Sequence, residues 1–306
     1  MTPLVLLTFT FAALLAGLSA GVFFNRRAFE REVDSEVAEL FAEVETMPTY
    51  FSADELEGLP APVQRFFKRN LQDGQPHPSC VRVRDRGEVR EAPGQPWTEF
   101  VGEVYAIRGG PAVLKFRRAR PFPLVWVDSR AVYLRGRGRV VAKLFSSLTT
   151  VDEDGDAARR GMLLAYLAEL ALLPPALLPS DTLRWEPIDD DRATLIVVDG
   201  ELEVRAQLCF DEFGNLVRFE THDRPCPIED VDHEGPARWT VRFTERRDFG
   251  GLHLPTRIDA EWQLGELIFP HVRRNIDAVE VDVPRRWTGP NKAGWTGGAG
   301  GAGGAG

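Results

Sequence analysis

DAARRGMLLAYLAELALLPPALLPSDTLRW, residues 156–185, decides how the rest of this chain is read. It opens on polar Asp156 and runs through Met162, Leu163, Leu164, Tyr166, Leu167, Leu170, Ala171 and Leu173. It then meets Pro174-Pro175 and ends in a strand-like run at Leu183-Arg184-Trp185. A helix drawn through it is apolar almost all round, the mark of a helix buried on most faces. Asp156 offers a cap for the first turn, and Pro174 sets the end near Leu173, because proline has no donor and clashes with the preceding turn. A central helix is therefore expected over residues 156–173. It is too short and too interrupted to span a bilayer, which takes about 20 apolar residues. One acid, Glu169, lies inside it. A carboxylate buried without a partner costs several kcal/mol or takes up a proton. Glu169 is accordingly read in two ways: as the ion-pair partner of Arg184 or of an arginine from Arg135-Gly136-Arg137-Gly138-Arg139, or as a polar contact or general acid/base in a ligand cavity.

The blocks on either side read as β-strands. Upstream, Trp97–Ile107, Ala112–Arg118, Leu124–Val127, Ala131–Leu134 and Arg139–Phe145 are short apolar runs parted by Gly109-Gly110-Pro111, Pro121-Phe122-Pro123 and Arg135-Gly136-Arg137-Gly138. Downstream the period of two is cleaner. Leu202, Val204, Ala206 and Leu208, then Trp239, Val241 and Phe243, then Ile258, Ala260, Trp262 and Leu264 alternate with polar residues. Such strands belong to antiparallel sheets wetted on one side. Asp211-Glu212-Phe213-Gly214-Asn215 reads as a hairpin loop. The expected fold is α+β: a large curved antiparallel sheet, a half-open barrel filled by the one central apolar helix.

Leu4 to Phe24 is uncharged and mostly apolar, long enough to cross a membrane, and Asn25-Arg26-Arg27 follows it. The rival reading is a signal peptide, for which Ser19-Ala20-Gly21 supplies small residues at the cleavage positions but no basic n-region precedes. If the anchor stays, the positive-inside rule places the rest of the chain in the cytoplasm, with an extracytoplasmic location as the alternative. Ala13, Gly17 and Gly21 form a small-residue face open to helix pairing, hence to a homodimer. Phe29, Val33, Val37, Leu40, Phe41 and Val44 then recur at helical spacing, so the membrane helix continues as an amphipathic one. Ser52-Ala53-Asp54-Glu55 has capping-box spacing, and a short helix starts near Pro62. The expected division is an anchor over 1–25, a helical juxtamembrane segment over 26–75, the sheet domain over 76–288 and a disordered Gly/Ala tail over 289–306.

A formal net charge of -9 argues against a nucleic-acid partner, which calls for a basic footprint. Cys80, Cys209 and Cys226 are too dispersed for a disulfide framework or a zinc site and read as free thiols. No nucleophile elbow, HExxH, P-loop or dinucleotide fingerprint occurs. His222 and Asp223 with His233 and Asp230 or Asp232 match no ligand spacing, so neither a metal nor another cofactor is expected.

Several separated motifs resemble a bacterial domain-of-unknown-function family: Gly161-Met162, Tyr166-Leu167-Ala168-Glu169, Pro175-Ala176-Leu177-Leu178-Pro179, Arg184-Trp185-Glu186-Pro187, Phe210-Asp211-Glu212-Phe213-Gly214-Asn215, Arg224-Pro225 and Leu254-Pro255. The likeness runs from about Leu59 to Val283. It implies a fold similar to the half-open barrels of bacterial lipoprotein and lipid carriers, and it brings no activity. Three functions are weighed. The first is a membrane-anchored binding or carrier module for an apolar ligand such as a lipid chain, with Glu169, Arg184, Trp185, Trp126, Trp239 and Trp262 as candidate contacts and Trp97 as a further tryptophan of the sheet. The second is an enzyme using Glu169 as an acid or base near Arg184. The third is a structural protein dimerised through Gly17 and Gly21.

Overall fold

A computed structural model describes residues 3–44, 48–228 and 235–289 of the chain. Six strands precede the central helix: β1 (Cys80–Val89), β2 (Thr98–Ile107), β3 (Val113–Phe122), β4 (Val125–Leu134), β5 (Arg137–Leu144) and β6 (Leu148–Glu153). Seven follow it: β7 (Leu183–Pro187), β8 (Arg192–Asp199), β9 (Leu202–Phe210), β10 (Leu216–Thr221), β11 (Arg238–Phe249), β12 (Leu252–Leu264) and β13 (Leu267–Val281). All thirteen make one antiparallel sheet, ordered β6-β5-β4-β3-β2-β1-β13-β12-β11-β10-β9-β8-β7. The first and last strands are thus neighbours at its middle, with Val83 opposite Val279. The two edges, β6 and β7, are the strands that flank the central helix in sequence.

Among the described residues there are also three α-helices: α1 (Pro3–Ala42), α2 (Ala61–Asn70) and α3 (Asp156–Glu169). α3 leaves one edge of the sheet and the chain after it enters the other, so it lies across the opening and fills the concave face. Leu163, Leu164, Leu170 and Leu173 are 0 % exposed and belong to the main core, with Val83, Val104, Val204, Val241 and Trp262 from the sheet. Each such leucine contributes about 1.5–3 kcal/mol of burial. A second core lies on the convex side, where Phe29, Val33, Val37, Leu40 and Phe41 of α1 pack on Tyr105, Ile107, Leu114 and Phe116. Acids beside that stripe pair with arginines of the sheet: Glu30 with Arg118 at 3.0 Å, Glu36 with Arg130, and Glu39 with Arg135 at 2.6 Å. β3 is therefore covered on both faces. Val113, Lys115 and Arg117 share the concave side and Leu114, Phe116 and Arg118 the convex side, by simple alternation.

Several boundaries differ from the sequence reading. Leu124–Val127 and Ala131–Leu134 are one strand, β4. The polar Asp128 between them stays in the ladder because its carboxylate, 0 % exposed, accepts from Arg118 Nε at 2.6 Å. β3 runs on through Pro121 to Phe122, with its register broken between Ala119 and Phe122. β6 escaped notice because it is an edge strand with almost every side chain exposed and no alternation to read. Gly155, at φ 87°, caps α3; Asp156 makes no capping bond and sits in the first turn, where a carboxylate still suits the helix dipole. Regular helix ends at Glu169, and 3-10 turns over Leu170–Leu172 and Pro174–Leu177 carry the chain past the prolines. The capping box at Ser52–Glu55, the helix after Pro60 and the hairpin at Asp211–Asn215 are as expected. All three cysteines are free thiols. The tail beyond Gly289 lies outside the described residues.

The contact between α3 and β5 depends on one missing side chain. A Cβ at Gly138 would stand 2.5 Å from the Ala158 carbonyl oxygen and 2.5 Å from Arg159 Cα, both backbone atoms. Gly138→Ala must push the helix off the sheet, and overpacking of this kind costs about 1–3 kcal/mol. A lowered thermal midpoint of the full chain in mild detergent is the expected result; an unchanged midpoint would show that α3 is free to move away.

Candidate functional site

Burying α3 brings its last residue, Glu169, against the concave face, and the charges that meet it come from strands far away in sequence. Lys115 follows from the alternation of β3. Arg274 lies on β13, next to β1. Glu169 Oε1 accepts from Lys115 Nζ at 2.6 Å and from Arg274 Nη1 at 2.6 Å. Arg274 Nε lies 2.6 Å from Asp85 Oδ2 on β1. Asp85, Arg274 and Glu169 are 0 %, 3 % and 4 % exposed. Gly102, directly opposite Asp85 on β2, leaves room for that carboxylate, since a Cβ there would lie 2.2 Å from Asp85 Oδ1. Burial alone would raise the Glu169 pKa; Arg274 and then Lys115 more than reverse this and hold it down to about 2. Burial, offset in part by Glu169, brings the Lys115 ammonium down to about 8.

Beside this chain of charges is a partly open cavity of about 240 Å³, lined by α3, strands β3, β4, β5, β11, β12 and β13, and Arg224 of the segment after β10. Its apolar wall is Met162, Ala165 and Ala168 of α3 facing Ala131, Val140, Val241, Ile258, Ala260 and Val272, with Trp239 beside them. Its polar wall is Lys115, Arg117, Ser129, Glu169, Arg224, His271 and Arg274. The Arg224 guanidinium lies over the Trp239 ring, 4.1 Å from its centroid, a cation–π contact. The Trp239 indole donates to His271 Nε2 at 3.1 Å, which leaves the imidazole proton on Nδ1. Burial first, then the positive charge of Arg224, Arg117 and Lys115, pushes His271 down to about 3, so it is neutral at physiological pH. A second hollow, about 500 Å³, lies on the convex side between α1, β2, β3 and the segment after β13. Its charges are largely matched, Arg286 alone meeting Glu30, Asp34 and Glu103.

Of the residues singled out in the sequence, the structure gathers Glu169 and Trp239 at the cavity, with Trp262 packed behind, its ring 6.4 Å from that of Trp239. The others sit elsewhere. Arg184 is half exposed and reaches Glu203 at 3.4 Å, not Glu169. Arg135 and Arg139 turn outward to Glu39 and Asp152. The reason is phase: Arg184 alternates with the buried Leu183 and points off the wet face, where α3 does not reach. Trp185 donates to the Leu177 carbonyl at 2.9 Å and packs near Phe210. Trp126 donates to Ser146 and meets Phe145 edge-on, and Trp97 lies under Arg90 and Arg273. Lys115, Arg117, Arg224, His271 and Arg274 were missed. The signal lay in β3, where Lys115 and Arg117 alternate with Leu114 and Phe116; that pattern reads as a wetted face unless both faces are known to be covered. Arg224 stood in the Arg224-Pro225 motif. Among the described residues no cluster of His, Cys, Asp and Glu is arranged for a metal ion. His222 instead meets the Ala237 carbonyl, and Asp230, Asp232 and His233 lie outside the described residues.

Residues 49–273 match the model of a family described as a family of unknown function, DUF6544, and the chain belongs to it. The match starts ten residues before the expected Leu59 and stops ten short of Val283. No curated protein matches the chain. Among solved structures, a DUF1329 family protein from Desulfovibrio piger is 12 % identical at a TM-score of 0.40, covering 72 % of this chain and 91 % of that one. A LolA superfamily protein from Nitrosomonas europaea is 11 % identical at a TM-score of 0.38, covering 73 % and 94 %.

Removing the Glu169 carboxylate strands Lys115 and leaves Arg274 with Asp85 as its remaining ion-pair partner, and breaking such buried pairs costs about 3–5 kcal/mol. Glu169→Ala is expected to lower stability by that order, while Arg184→Ala, on the surface, changes it by less than about 1 kcal/mol. The sign with pH follows from the depressed pKa. The contribution is whole above the ordinary value of 4.5 and disappears as pH falls towards 2. Unfolding curves of wild type and Glu169→Ala should therefore converge between pH 5 and pH 2; a constant gap would refute the ion-pair account.

Proposed function

We propose that this member of the DUF6544 family is a membrane-anchored binding or carrier module that takes an apolar ligand, such as a lipid chain, between α3 and the concave face of its sheet. The observation that carries the reading is the cavity itself. A sheet domain with this much apolar side chain would gain by closing around α3, yet about 240 Å³ stays open where small residues, Ala131, Ala165, Ala168 and Ala260, meet across the gap. Pockets for small molecules are mostly apolar with a few placed polar groups, and their usual volumes begin near ~300 Å³. This one suits a single chain rather than a whole two-chain lipid.

The anchor reading rests on α1. Its apolar stretch has a mean hydropathy of 1.9, none of it buried against the rest of the chain, whereas from Phe29 onward the same helix packs on the sheet. A signal sequence is the alternative, and the docked part of α1 would survive cleavage near Ser19-Ala20-Gly21. Arg26 and Arg27 favour a cytoplasmic sheet domain over an extracytoplasmic one. The enzyme reading asked for Glu169 with a raised pKa. Its two ion pairs keep it ionised instead, which removes the motive for a general acid there. Pairing through Gly17 and Gly21 has only an open helix face in its favour, with nothing within 4 Å of either.

Binding of a polarity-sensitive fluorescent fatty chain to delipidated full-length protein tests the carrier reading. Ala165→Leu and Ala260→Leu fill the cavity from opposite walls and are each expected to weaken binding at least tenfold. A thermal midpoint taken in parallel separates loss of the cavity from loss of the fold. Undiminished binding by both folded variants would place the chain elsewhere and end the proposal.

A further inference from the structure

The polar wall of the cavity carries more positive than negative charge. Lys115 and Arg274 are matched by Glu169 and Asp85. Arg117 and Arg224 are not: among the described residues no carboxylate lies within ion-pairing distance of either. Arg117 Nε and Arg224 Nη1 are buried donors with no hydrogen-bond partner among the described residues, and Asp85 and Glu169 act on Arg117 through space without pairing with it. Leaving a charged donor buried and unmet is expensive, and proteins keep such groups where a ligand completes them. The two guanidinia also repel, and burial together with Arg117 brings Arg224 down to about 10. Arg117 is steadied by the Phe100 face at 4.5 Å and Arg224 by Trp239, so both are held in place while their N–H groups stay open. The neutral His271 beside them adds no opposing charge.

Resting on the carrier reading, we propose that the ligand is a single-chain amphiphile with an anionic head, a carboxylate or a phosphate, received by Arg117 and Arg224 while its chain lies along Met162, Ala165, Val241 and Ile258. Arginine suits the task because its planar fork meets either oxyanion with two parallel hydrogen bonds. Full-length protein in uncharged detergent is titrated with dodecanoate, dodecyl phosphate and methyl dodecanoate, each displacing the fluorescent chain. At least one anionic probe should bind tenfold or more tighter than the ester, and which one does identifies the head. Arg224→Gln and Arg117→Gln should erase that advantage and leave ester affinity unchanged. Equal binding of all three overturns the anionic head with the carrier reading intact. Failure of all three to bind overturns both.

A separate observation concerns the end of the sheet nearest the anchor. Asn25, at the close of the apolar stretch, donates to Ser147 in the β5–β6 turn at 3.1 Å. The β3–β4 tip lies at the same end, since Phe145 N bonds to the Trp126 carbonyl and Val127 faces Leu144. Phe122, Leu124 and Leu148 on these two tips are 69 %, 90 % and 63 % exposed, with Arg120 on β3 close to Arg26 of α1. The opposite end of β4 and β5 meets Glu43, just past the end of α1 and 18 residues or about 27 Å further along the helix direction than Asn25. Given the anchor, we infer that these tips dip into the bilayer interface beside it, the basic residues meeting anionic headgroups. Nitroxide labels at Leu124→Cys, Leu148→Cys and Arg137→Cys, in a Cys226→Ala background, report depth in liposomes of phosphatidylcholine and phosphatidylglycerol. Labels at 124 and 148 should be accessible to oxygen and shielded from a water-soluble nickel chelate, and the label at 137 the reverse. Three equally water-exposed labels would overturn the inference, and protein that fails to float with the liposomes would overturn the anchor as well.

Discussion

A charge taken out of water is costly unless another meets it, and in this chain four such charges meet across four elements. Asp85 on β1, Arg274 on β13, Glu169 on α3 and Lys115 on β3 form one line of alternating charge, most of it beyond the reach of solvent. Apolar packing alone would let α3 slide or turn in the concave face, because leucine contacts are not directional. One carboxylate held from two sides fixes where the helix stops. The same line joins the first and last strands of the sheet at their seam, so the plug and the seam are registered by a single interaction.

The cavity exists because that registration keeps α3 at a set distance from β11 and β12. Where the helix shows Ala165 and Ala168 to Ala260 and Ile258, the side chains are too short to close the gap. Larger residues would complete a solid core, and the ion pairs would be buried in it with nowhere for a ligand to enter. The molecule thus combines a fixed polar contact with an apolar hollow next to it, and the arginines on the polar side give the hollow a charged end and an oily end.

The sheet, the plug helix and the long N-terminal apolar helix were legible because each writes its pattern into the sequence. β9, β11 and β12 alternate cleanly, as strands with one wet face do, and Met162 to Ala168 is apolar around the whole helix. The first half of the sheet was harder. β3 and β4 lie under α1 on one side and α3 on the other, so their polar residues do not mark solvent. Lys115, Arg117 and Asp128 are polar in a phase that is covered by packing, so their positions alone do not single them out. That is also why the partners of Glu169 were sought nearby in sequence, at Arg184 and the Arg135–Arg139 loop. The true partners are 54 residues before it and 105 after it. No local pattern records a pairing that only sheet order brings about.

That sheet order also has a consequence in time. α3 is made with one wall of its enclosure, β1 to β6, already behind it, and the other wall still to come. Arg274 is synthesised 105 residues after Glu169, and at about 5–20 residues per second that is an interval of roughly 5–20 s. Through it the most apolar helix of the domain has half its burial and its carboxylate has one partner of two. The second wall, β7 to β13, is what completes both the burial of α3 and the pairing of Glu169.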